Sequence, residues 1–218
     1  MNEVSHELSN ELNNELSNEL NKELNKDLDP RIARTRLAVQ MSVVKLLSAE
    51  HPFSALTISE VAVDAGVTRK TLYARFGSLE QVVKDVAFSM FEEIAKTISD
   101  DMVKVPLSES ALTPLVFRAY DQHQAILTPL LKYCPAFLFV EPCREVIGKL
   151  LDRTISVNQF RPLPAFEREY LIAIFCSTLH ATLMVWIERE YNDSPDQLAE
   201  LIMKILGPGV DTFLTSLE

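Results

Sequence analysis

The sequence has little glycine and little cysteine, and both shortages exclude kinds of functional site. Five glycines in 218 residues form neither a phosphate-binding glycine loop nor a nucleophile elbow. The three cysteines form no CxxC pair, the spacing typical of zinc and redox sites. No run of alternating apolar and polar residues persists as it would in a β-strand. We therefore expect an all-α protein that is not an enzyme and binds neither a metal nor a cofactor.

The cysteines also bear on the cellular compartment. The chain has an odd number of cysteines, namely Cys134, Cys143 and Cys176. Its N-terminal segment lacks the basic start and apolar core of a signal peptide. Both features predict reduced thiols in a cytoplasmic protein. We expect buried structural thiols at these positions. Metal binding by Cys134 or Cys143 together with His123 is the alternative.

Acidic residues dominate the chain, but not uniformly. The formal net charge is −10, which for the chain as a whole disfavours nucleic-acid binding. Residues 1–30 contain two Lys and eight acidic residues, for a net charge of −6. Residues 31–83 contain seven basic and four acidic residues (+3), and residues 84–218 contain twelve and nineteen (−7). Attraction to phosphate is therefore confined to the middle segment.

The N-terminal segment is a low-complexity repeat. Leucine recurs every fourth residue from Leu8 to Leu28, and an acidic residue precedes each leucine. A period of four overshoots the α-helical repeat by about 40° each time, so the leucines cannot form a heptad seam. The Asn and Ser residues between them weaken helix propensity. We expect a disordered acidic leader over residues 1–30, with the fold beginning near Arg31.

The stretch from Thr57 to Val83 carries the start and stop signals of short helices. Thr57 and Glu60 form a capping box, and Gly66 can end the helix because glycine adopts the left-handed conformation without steric cost. Thr68 then caps a second helix after a turn of about three residues. The spacing predicts a helix-turn-helix. Apolar residues of its first helix share one face: Ile58, Val61, Ala62 and Ala65.

The second of these helices has an apolar face and a charged face. Leu72 and Phe76 are four residues apart and predict the inward face. The outward face then carries Arg69, Lys70 and Tyr73. Cations and long polar side chains at a helix opening are suited to contact DNA phosphates and base edges. We interpret this helix as a DNA recognition helix.

These residues resemble the DNA-binding domain of the tetracycline-repressor (TetR) family over about Arg31 to Met90. The chain departs from the family pattern at two positions. Leu79 stands where the family usually has a lysine that opens the fourth helix against a phosphate, and Pro52 stands where many members have glycine. The matching positions are Thr57, Ile58, Val61, Ala62, Ala65-Gly66-Val67-Thr68, Thr71-Leu72-Tyr73, Phe76, Glu80 and Val82.

The resemblance implies a set of DNA-contacting residues in the recognition helix, its caps and the start of helix 1. Arg34 and Arg36 lie in the first turn of helix 1, where the helix dipole does not favour positive charge. Contact with a phosphate and simple solvation both explain such a position. The full set is Arg34, Arg36, Thr57, Thr68, Arg69, Lys70, Thr71, Tyr73 and Arg75.

Two longer helices flank the helix-turn-helix. We expect helix 1 to run from about Arg31 to Glu50, with an inward stripe of Leu37, Met41, Val44 and Leu47. A second capping box, Ser78 with Gln81, predicts helix 4, which should run to about Asp100 and connect the domains. Its apolar face comprises Val83, Val86, Ala87, Met90, Ile94 and Ile98.

The remainder of the chain has helical spacing. Apolar residues keep that spacing after Thr113-Pro114 and again after Pro142, so we expect these prolines at helix starts. The stretch from Tyr170 to Ile187 contains no Lys, Arg, Asp or Glu over eighteen residues, which is long enough to span a membrane. Its Ser, Thr and His residues and its charged flanks favour a buried core or interface helix instead.

A last helix is predicted to begin at Ser194-Pro195, and a further apolar set follows Gly207-Pro208-Gly209. The segment from Trp186 to Leu206 resembles the last two helices of TetR-family regulators. In that family these helices form a four-helix dimer interface. The resemblance therefore implies a homodimer, which would match a palindromic double-stranded DNA operator.

Together these observations predict two helical domains after the leader. Residues 31–83 form the three-helix DNA-binding domain, and residues 84–218 form a helical ligand-binding and dimerisation domain. The resemblance implies a transcriptional regulator, a repressor that responds to an unknown small-molecule effector. The alternative is a TetR-like interaction protein that acts through its dimer surface without specific DNA binding. The effector pocket is expected to involve Phe117, Tyr120, His123, Phe137, Phe175 and His180, although such residues are also typical of a core.

Overall fold

The protein is all-α, as the sequence predicts. The computed structural model describes residues 30–48 and 50–217, and within these ranges it has nine α-helices, two short 3-10 helices and no β-strand. Apart from Pro30, the predicted acidic leader lies outside the described residues. The helices are α1 (Pro30–Leu46), α2 (Ile58–Asp64), α3 (Arg69–Phe76), α4 (Leu79–Lys96), α5 (Leu112–Gln122), α6 (Gln124–Tyr133), α7 (Phe137–Val157), α8 (Ala165–Glu188) and α9 (Pro195–Thr215).

The chain divides into two compact units between Val82 and Val83, inside α4. The boundary expected from the sequence lies one residue further along. Each unit buries apolar residues of its own. The first unit contains α1, α2 and α3, and the second contains α5 to α9 together with most of α4.

In the first unit, α1 packs on α2 and α2 packs on α3. The Ser42 hydroxyl donates to the Val61 carbonyl at 3.2 Å, so a buried polar side chain joins α1 to α2. Lys45 Nζ lies 2.6 Å from Asp64 Oδ1 at the end of the same helix pair. The residues that form this small core include Val39, Val43, Val61, Ala62, Leu72 and Phe76.

Helix α1 differs from the sequence prediction in its length and in its buried face. It ends at Leu46 rather than Glu50. The apolar residues it buries towards its C-terminal end are Val39 and Val43, and Leu47 beyond its last turn is also buried. Three residues of the predicted stripe are only half-buried: Leu37, Met41 and Val44. Both stripes are apolar and adjacent on the helix, so packing against α2 decides between them.

In the second unit, the main packed pairs are α5 with α9 and α7 with α8. All six residues predicted for the apolar face of α4 are buried, although the helix ends at Lys96 rather than Asp100. Phe91 of α4 makes edge-to-face contacts with Tyr120 and Phe139, at ring-centroid distances of 6.4 and 4.9 Å. These aromatic pairs add to the area that the core buries.

Proline marks helix starts less regularly than the sequence suggested. Pro114 lies in the first turn of α5, but Pro142 is the sixth residue of α7. Helix α9 runs unbroken through Gly207-Pro208-Gly209. A proline inside a helix removes a backbone hydrogen bond and costs about 3 kcal/mol. Packing of α7 on α8 and of α9 on α5 offsets this cost, which propensity alone does not reveal.

Side chains of α7 and its C-terminal cap hold the segment between α4 and α5 in place. Arg153 Nη1 donates to the Ile98 carbonyl at 2.8 Å. Asn158 accepts from the Val105 amide at 3.0 Å and donates to the Val103 carbonyl at 2.8 Å. The backbone of this irregular segment is therefore satisfied by side chains rather than by a regular helix.

Asp211 of α9 anchors the 3-10 helix Leu107–Glu109, which lies between α4 and α5 in the chain. Its two carboxylate oxygens accept from the Leu107 amide at 2.6 Å and from the Ser108 amide at 3.1 Å. Gly207 allows the close approach, because a Cβ at this position would lie 2.9 Å from Ser108 Cβ. One carboxylate and one glycine thus hold this turn against α9.

Replacing Asp211 with alanine should lower the free energy of unfolding by about 1–3 kcal/mol, because two amides lose a charged acceptor. Urea unfolding followed by circular dichroism measures the change. Thr212→Ala is the control, since the Thr212 hydroxyl donates only within its own helix, to the Pro208 carbonyl. If both variants unfold at the same urea concentration, Asp211 does not stabilise the fold in this way.

Candidate nucleic-acid interface

The turn between α2 and α3 has the geometry of a glycine-terminated helix. Gly66 has φ +65°, the left-handed region, and no atom would crowd a Cβ there. The Val67 amide donates to the Ala62 carbonyl at 2.9 Å, and the Gly66 amide donates to the Val63 carbonyl at 3.1 Å. This pair of bonds is a Schellman motif, which satisfies the last carbonyls of α2. Backbone conformation, rather than space, therefore favours glycine here.

Side-chain caps start both helices, as predicted. The Glu60 amide donates to Thr57 Oγ1 at 3.3 Å, and the Thr57 amide donates to Glu60 Oε2 at 2.9 Å, which completes the capping box. The Thr71 amide donates to Thr68 Oγ1 at 3.1 Å at the start of α3. Caps of this type each stabilise a helix by about 1 kcal/mol. They fix the angle at which two short helices can meet.

Helix α3 presents the predicted outward face. Leu72 and Phe76 are buried against the rest of the first unit. Arg69, Lys70 and Tyr73 are exposed, and Tyr73 keeps 48% of its surface open to solvent. Arg75 is exposed in the last turn. A helix of eight residues thus offers three cations and a phenol to a partner.

The acidic residues of α2 do not neutralise this face. Hydrogen bonds from the side chain and amide of Thr57 hold the pKa of Glu60 below its usual value. The hydrogen bond from Lys45 does the same for the pKa of Asp64. Within residues 30–48 and 50–217, no carboxylate lies within ion-pair distance of the cations of α3: Arg69, Lys70 and Arg75. These cations therefore remain available to an anionic ligand.

The starts of α2, α3 and α4 converge on one open groove of the first unit. Arg69 and Tyr73 line it from α3, and Thr57 lines it from the start of α2. Helix openings carry unsatisfied amides and partial positive charge, which favour phosphate oxygens. Leu79 also lines the groove and is 9% exposed, so it contributes an apolar wall where the TetR pattern has a lysine.

The remaining predicted DNA contacts lie at varied positions. Arg34 is exposed on α1, whereas Arg36 is half-buried. Thr68 and Thr71 bond to each other, with 2.9 Å between their hydroxyl oxygens. None of these four residues lines the groove. The structure thus brings Thr57, Arg69 and Tyr73 together and leaves the others around them.

The second unit contains an apolar cavity of about 200 Å³. It lies among α5, α7, α8 and α9, with Leu107 of the anchored 3-10 helix in its wall. Two of the six predicted pocket residues, Phe117 and Phe175, line it. Most of its wall is aliphatic, so a sequence search for aromatic residues could not delimit it. Its principal aliphatic contributors are Leu112, Val116, Ile147, Leu150, Leu179, Ile202, Leu206 and Val210.

Tyr120 and His123 belong to the core near α4 instead. Tyr120 is buried against Phe91, and burial raises the pKa of its phenol. His123 Nδ1 lies 2.7 Å from the Ala119 carbonyl oxygen, and its Nε2 lies 3.7 Å from Glu93 Oε2. Neither side chain reaches the cavity wall.

Phe137 and His180 also lie away from the cavity wall. Phe137 is exposed at the start of α7, with Lys84 Nζ 5.6 Å from its ring centroid. The His180 ring lies 5.9 Å from that of Phe139, and burial lowers the pKa of this histidine. Four of the six predicted pocket residues therefore have other surroundings.

The cysteines have the environment of structural thiols. Cys143 and Cys176 are buried, and Cys134 is half-buried. Burial raises the pKa of Cys134 to about 12, and a hydrogen bond with Cys176 together with burial raises the pKa of Cys143. Raised pKa values keep the thiols of Cys134 and Cys143 protonated and unreactive. The same hydrogen bond with Cys143 lowers the pKa of Cys176, so one thiol of this buried pair is the donor and the other the acceptor. Over the part of the chain that the structure describes, no three His, Cys, Asp or Glu side chains cluster as metal ligands.

Comparison with known proteins agrees with this geometry. Residues 46–86 match the family model for bacterial regulatory proteins of the tetR family. The helix-turn-helix of this chain belongs to the TetR family. The match covers α2 and α3 in full, together with their flanking turns. The matched segment is thus similar to the DNA-binding part of bacterial tetR-family regulators, and a DNA-binding role would account for the cationic face of α3.

Solved structures extend the similarity in fold to most of the chain. The TetR family repressor AlkX from Dietzia sp. strain DQ12-45-1b, implicated in biodegradation of n-alkanes, is 23% identical, with a TM-score of 0.52. That similarity covers 84% of this chain and 96% of AlkX. NalD, the secondary repressor of the MexAB-OprM multidrug efflux pump in Pseudomonas aeruginosa, is 21% identical, with a TM-score of 0.50 over 80% of this chain and 94% of NalD. Curated protein sequences give no significant match.

Lys70→Ala and Tyr73→Ala should both weaken binding to a specific DNA site. Loss of a phosphate-contacting lysine should also reduce the slope of log affinity against log salt by about one unit per contact. Fluorescence anisotropy at several salt concentrations measures both effects. Lys132→Ala is the control, because Lys132 is an exposed lysine of the second unit. Parental affinity in both α3 variants would exclude α3 as the recognition helix.

Proposed function

We propose that this TetR-family protein is a homodimeric repressor that binds a palindromic operator and is released by a small-molecule effector. The observation that carries the proposal is the exposed cationic face of α3, held in place by two buried residues and two threonine caps. The likeness to AlkX and NalD, both described as repressors, supports negative regulation. Together these features favour a repressor.

A dimer is supported by apolar side chains that the second unit leaves exposed. On α8, Phe166, Tyr170, Ile174 and Val185 follow one another at helical spacing, and Tyr170 is 70% exposed. On α9, Leu201 and Ile205 are four residues apart, and Ile205 is 64% exposed. Large apolar side chains left exposed along two helices are typical of an interaction site. A two-fold pairing of α8 and α9 with a second copy would bury them.

The same helix α8 could be read as a membrane span. Over the described ranges, it is the one helix that is both long enough and apolar enough to cross a membrane. It packs extensively on α7, however, and buries Ile172, Cys176, Leu183 and Trp186 within the second unit. Burial of one face in a core and of the other in a dimer accounts for its composition. We therefore place the protein in the cytoplasm, with no membrane partner.

In this proposal the effector acts through α4, which contributes residues to both units. An effector that prefers one arrangement of α4 shifts the population towards that arrangement. In a dimer, such a shift changes the separation of the two recognition helices and so the affinity for the operator. The coupling is reciprocal, so operator binding would weaken effector binding by the same factor.

Selection of bound sequences from a random DNA pool tests the DNA-binding function directly. A palindromic consensus is expected, since two-fold protein symmetry requires two equivalent half-sites. The alternative is an interaction protein that uses its dimer surface without specific DNA binding, and buried Leu79 in place of a lysine favours it. A protein that forms dimers but enriches no sequence would support that alternative and contradict the repressor.

Ile205→Glu should convert the dimer into a monomer, because a carboxylate would be buried without a partner in the interface. Sedimentation velocity at low micromolar protein concentration measures the change. Lys204→Glu provides a matched control, since Lys204 is the neighbouring exposed residue of α9. A parent protein that sediments as a monomer, or an Ile205→Glu variant that remains dimeric, would contradict the assigned interface.

A further inference from the structure

We propose that the cavity of the second unit binds a neutral, largely apolar small molecule, and that charged molecules are excluded. The proposal rests on the proposed function only in assigning this molecule the role of effector. Binding itself is a property of the cavity and can be measured without DNA.

The wall of the cavity contains no ionisable side chain. Its lining residues are aliphatic or aromatic, apart from one glycine, one methionine and four threonines. An ionised carboxylate or ammonium in such a site would lose its hydration without gaining a partner, which costs far more than burial of a neutral group. A ligand that keeps a charge inside the cavity is therefore disfavoured.

The threonines leave room for one or two neutral polar atoms at most. Thr154 Oγ1 donates to the Leu150 carbonyl of its own helix at 2.9 Å, and Thr113 Oγ1 lies 3.0 Å from Met203 Sδ. The other two, Thr178 and Thr182, lie one turn apart on α8. Their hydroxyls can pair with a ligand hydroxyl or carbonyl. The ligand chemistry that fits is a hydrocarbon frame with a single neutral polar group.

The volume of the cavity sets the scale of the ligand. An apolar cavity of about 150 Å³ remains dry and binds benzene. The cavity in this protein, at about 200 Å³, is somewhat larger. If the number of ligand atoms scales with cavity volume as it does for benzene, this cavity suits a molecule of roughly eight non-hydrogen atoms. An alcohol such as 1-heptanol has this size and polarity.

The cavity is separate from the surface assigned to the dimer. The exposed apolar residues of α8 and α9 are not among its lining residues. Ile205 and Leu206 illustrate the difference, since Ile205 is exposed and Leu206 lines the cavity. A second copy of the chain therefore covers the exposed stripe without filling the cavity.

The protein contains its own reporter of occupancy. Trp186 is the single tryptophan of the chain. Its ring makes an edge-to-face contact with Phe117, at 6.1 Å between centroids, and Phe117 lines the cavity. Its indole nitrogen donates to the Asp193 carbonyl at 2.8 Å, which fixes its orientation. Movement of Phe117 on ligand binding should change the fluorescence of Trp186.

The test titrates the full-length protein, without DNA, with 1-heptanol and with hexanoate at neutral pH. The two probes have equal numbers of non-hydrogen atoms and differ in charge. 1-Heptanol is expected to change Trp186 emission saturably and to give a matching calorimetric isotherm. Hexanoate is expected to bind at least roughly tenfold more weakly, because its carboxylate would be buried unpaired. Equal or tighter binding of hexanoate, or no saturable binding of 1-heptanol, would overturn the proposal.

Two valine variants locate the site. Val116→Phe adds a ring to the cavity wall and should weaken 1-heptanol binding by roughly tenfold or more. Val63→Phe makes the same substitution at a position in the first unit that is 81% exposed, and should leave binding unchanged. Parental affinity in a folded Val116→Phe protein would overturn the assignment. If that variant does not fold, the comparison of 1-heptanol with hexanoate on the parent protein still tests whether the cavity prefers a neutral ligand. Selection of operator DNA tests the repressor function separately.

Discussion

The left-handed backbone at Gly66 is the constraint on which the DNA-binding unit depends. It ends α2 and turns the chain by the short path that lets Thr68 cap the start of α3. Because α2 and α3 have only seven and eight residues, neither could remain helical alone. The turn, the two threonine caps and the shared burial of Leu72 hold them together. The same arrangement leaves the opposite face of α3 free for contact with DNA.

The distribution of charge along the chain agrees with a single DNA-binding face on α3. The chain is acidic overall, yet the segment around the helix-turn-helix has a positive net charge. The acids of α2 are committed to local partners, Glu60 to its cap and Asp64 to Lys45. Non-specific attraction to DNA is therefore limited to one surface, and the remainder of the molecule repels phosphate. A small cationic face in an acidic protein favours binding in one orientation.

The apolar surface of the helices in the second unit falls into three parts. Most of that surface packs between helices, as in the contacts of Phe91 and Trp186. A second part encloses the cavity, where the wall is apolar but does not close completely on itself. A third part, around Tyr170 and Ile205, faces solvent. Long apolar helices such as α8 have more hydrophobic surface than one partner helix can cover, so both remaining parts are available for binding.

The sequence by itself determined the features that depend on neighbouring residues. The all-α class, the capping box at Thr57 and the two faces of α3 follow from propensity and from spacings of three or four residues, and the structure has each of them. Tertiary packing decided which apolar stripe of α1 is buried and whether Pro208 interrupts α9. It also decided where the cavity lies, because that space is enclosed by side chains as far apart in the chain as Leu112 and Leu214. Periodicity shows which face of a helix is apolar, but not which distant side chains meet there, since packing against partner helices fixes that choice.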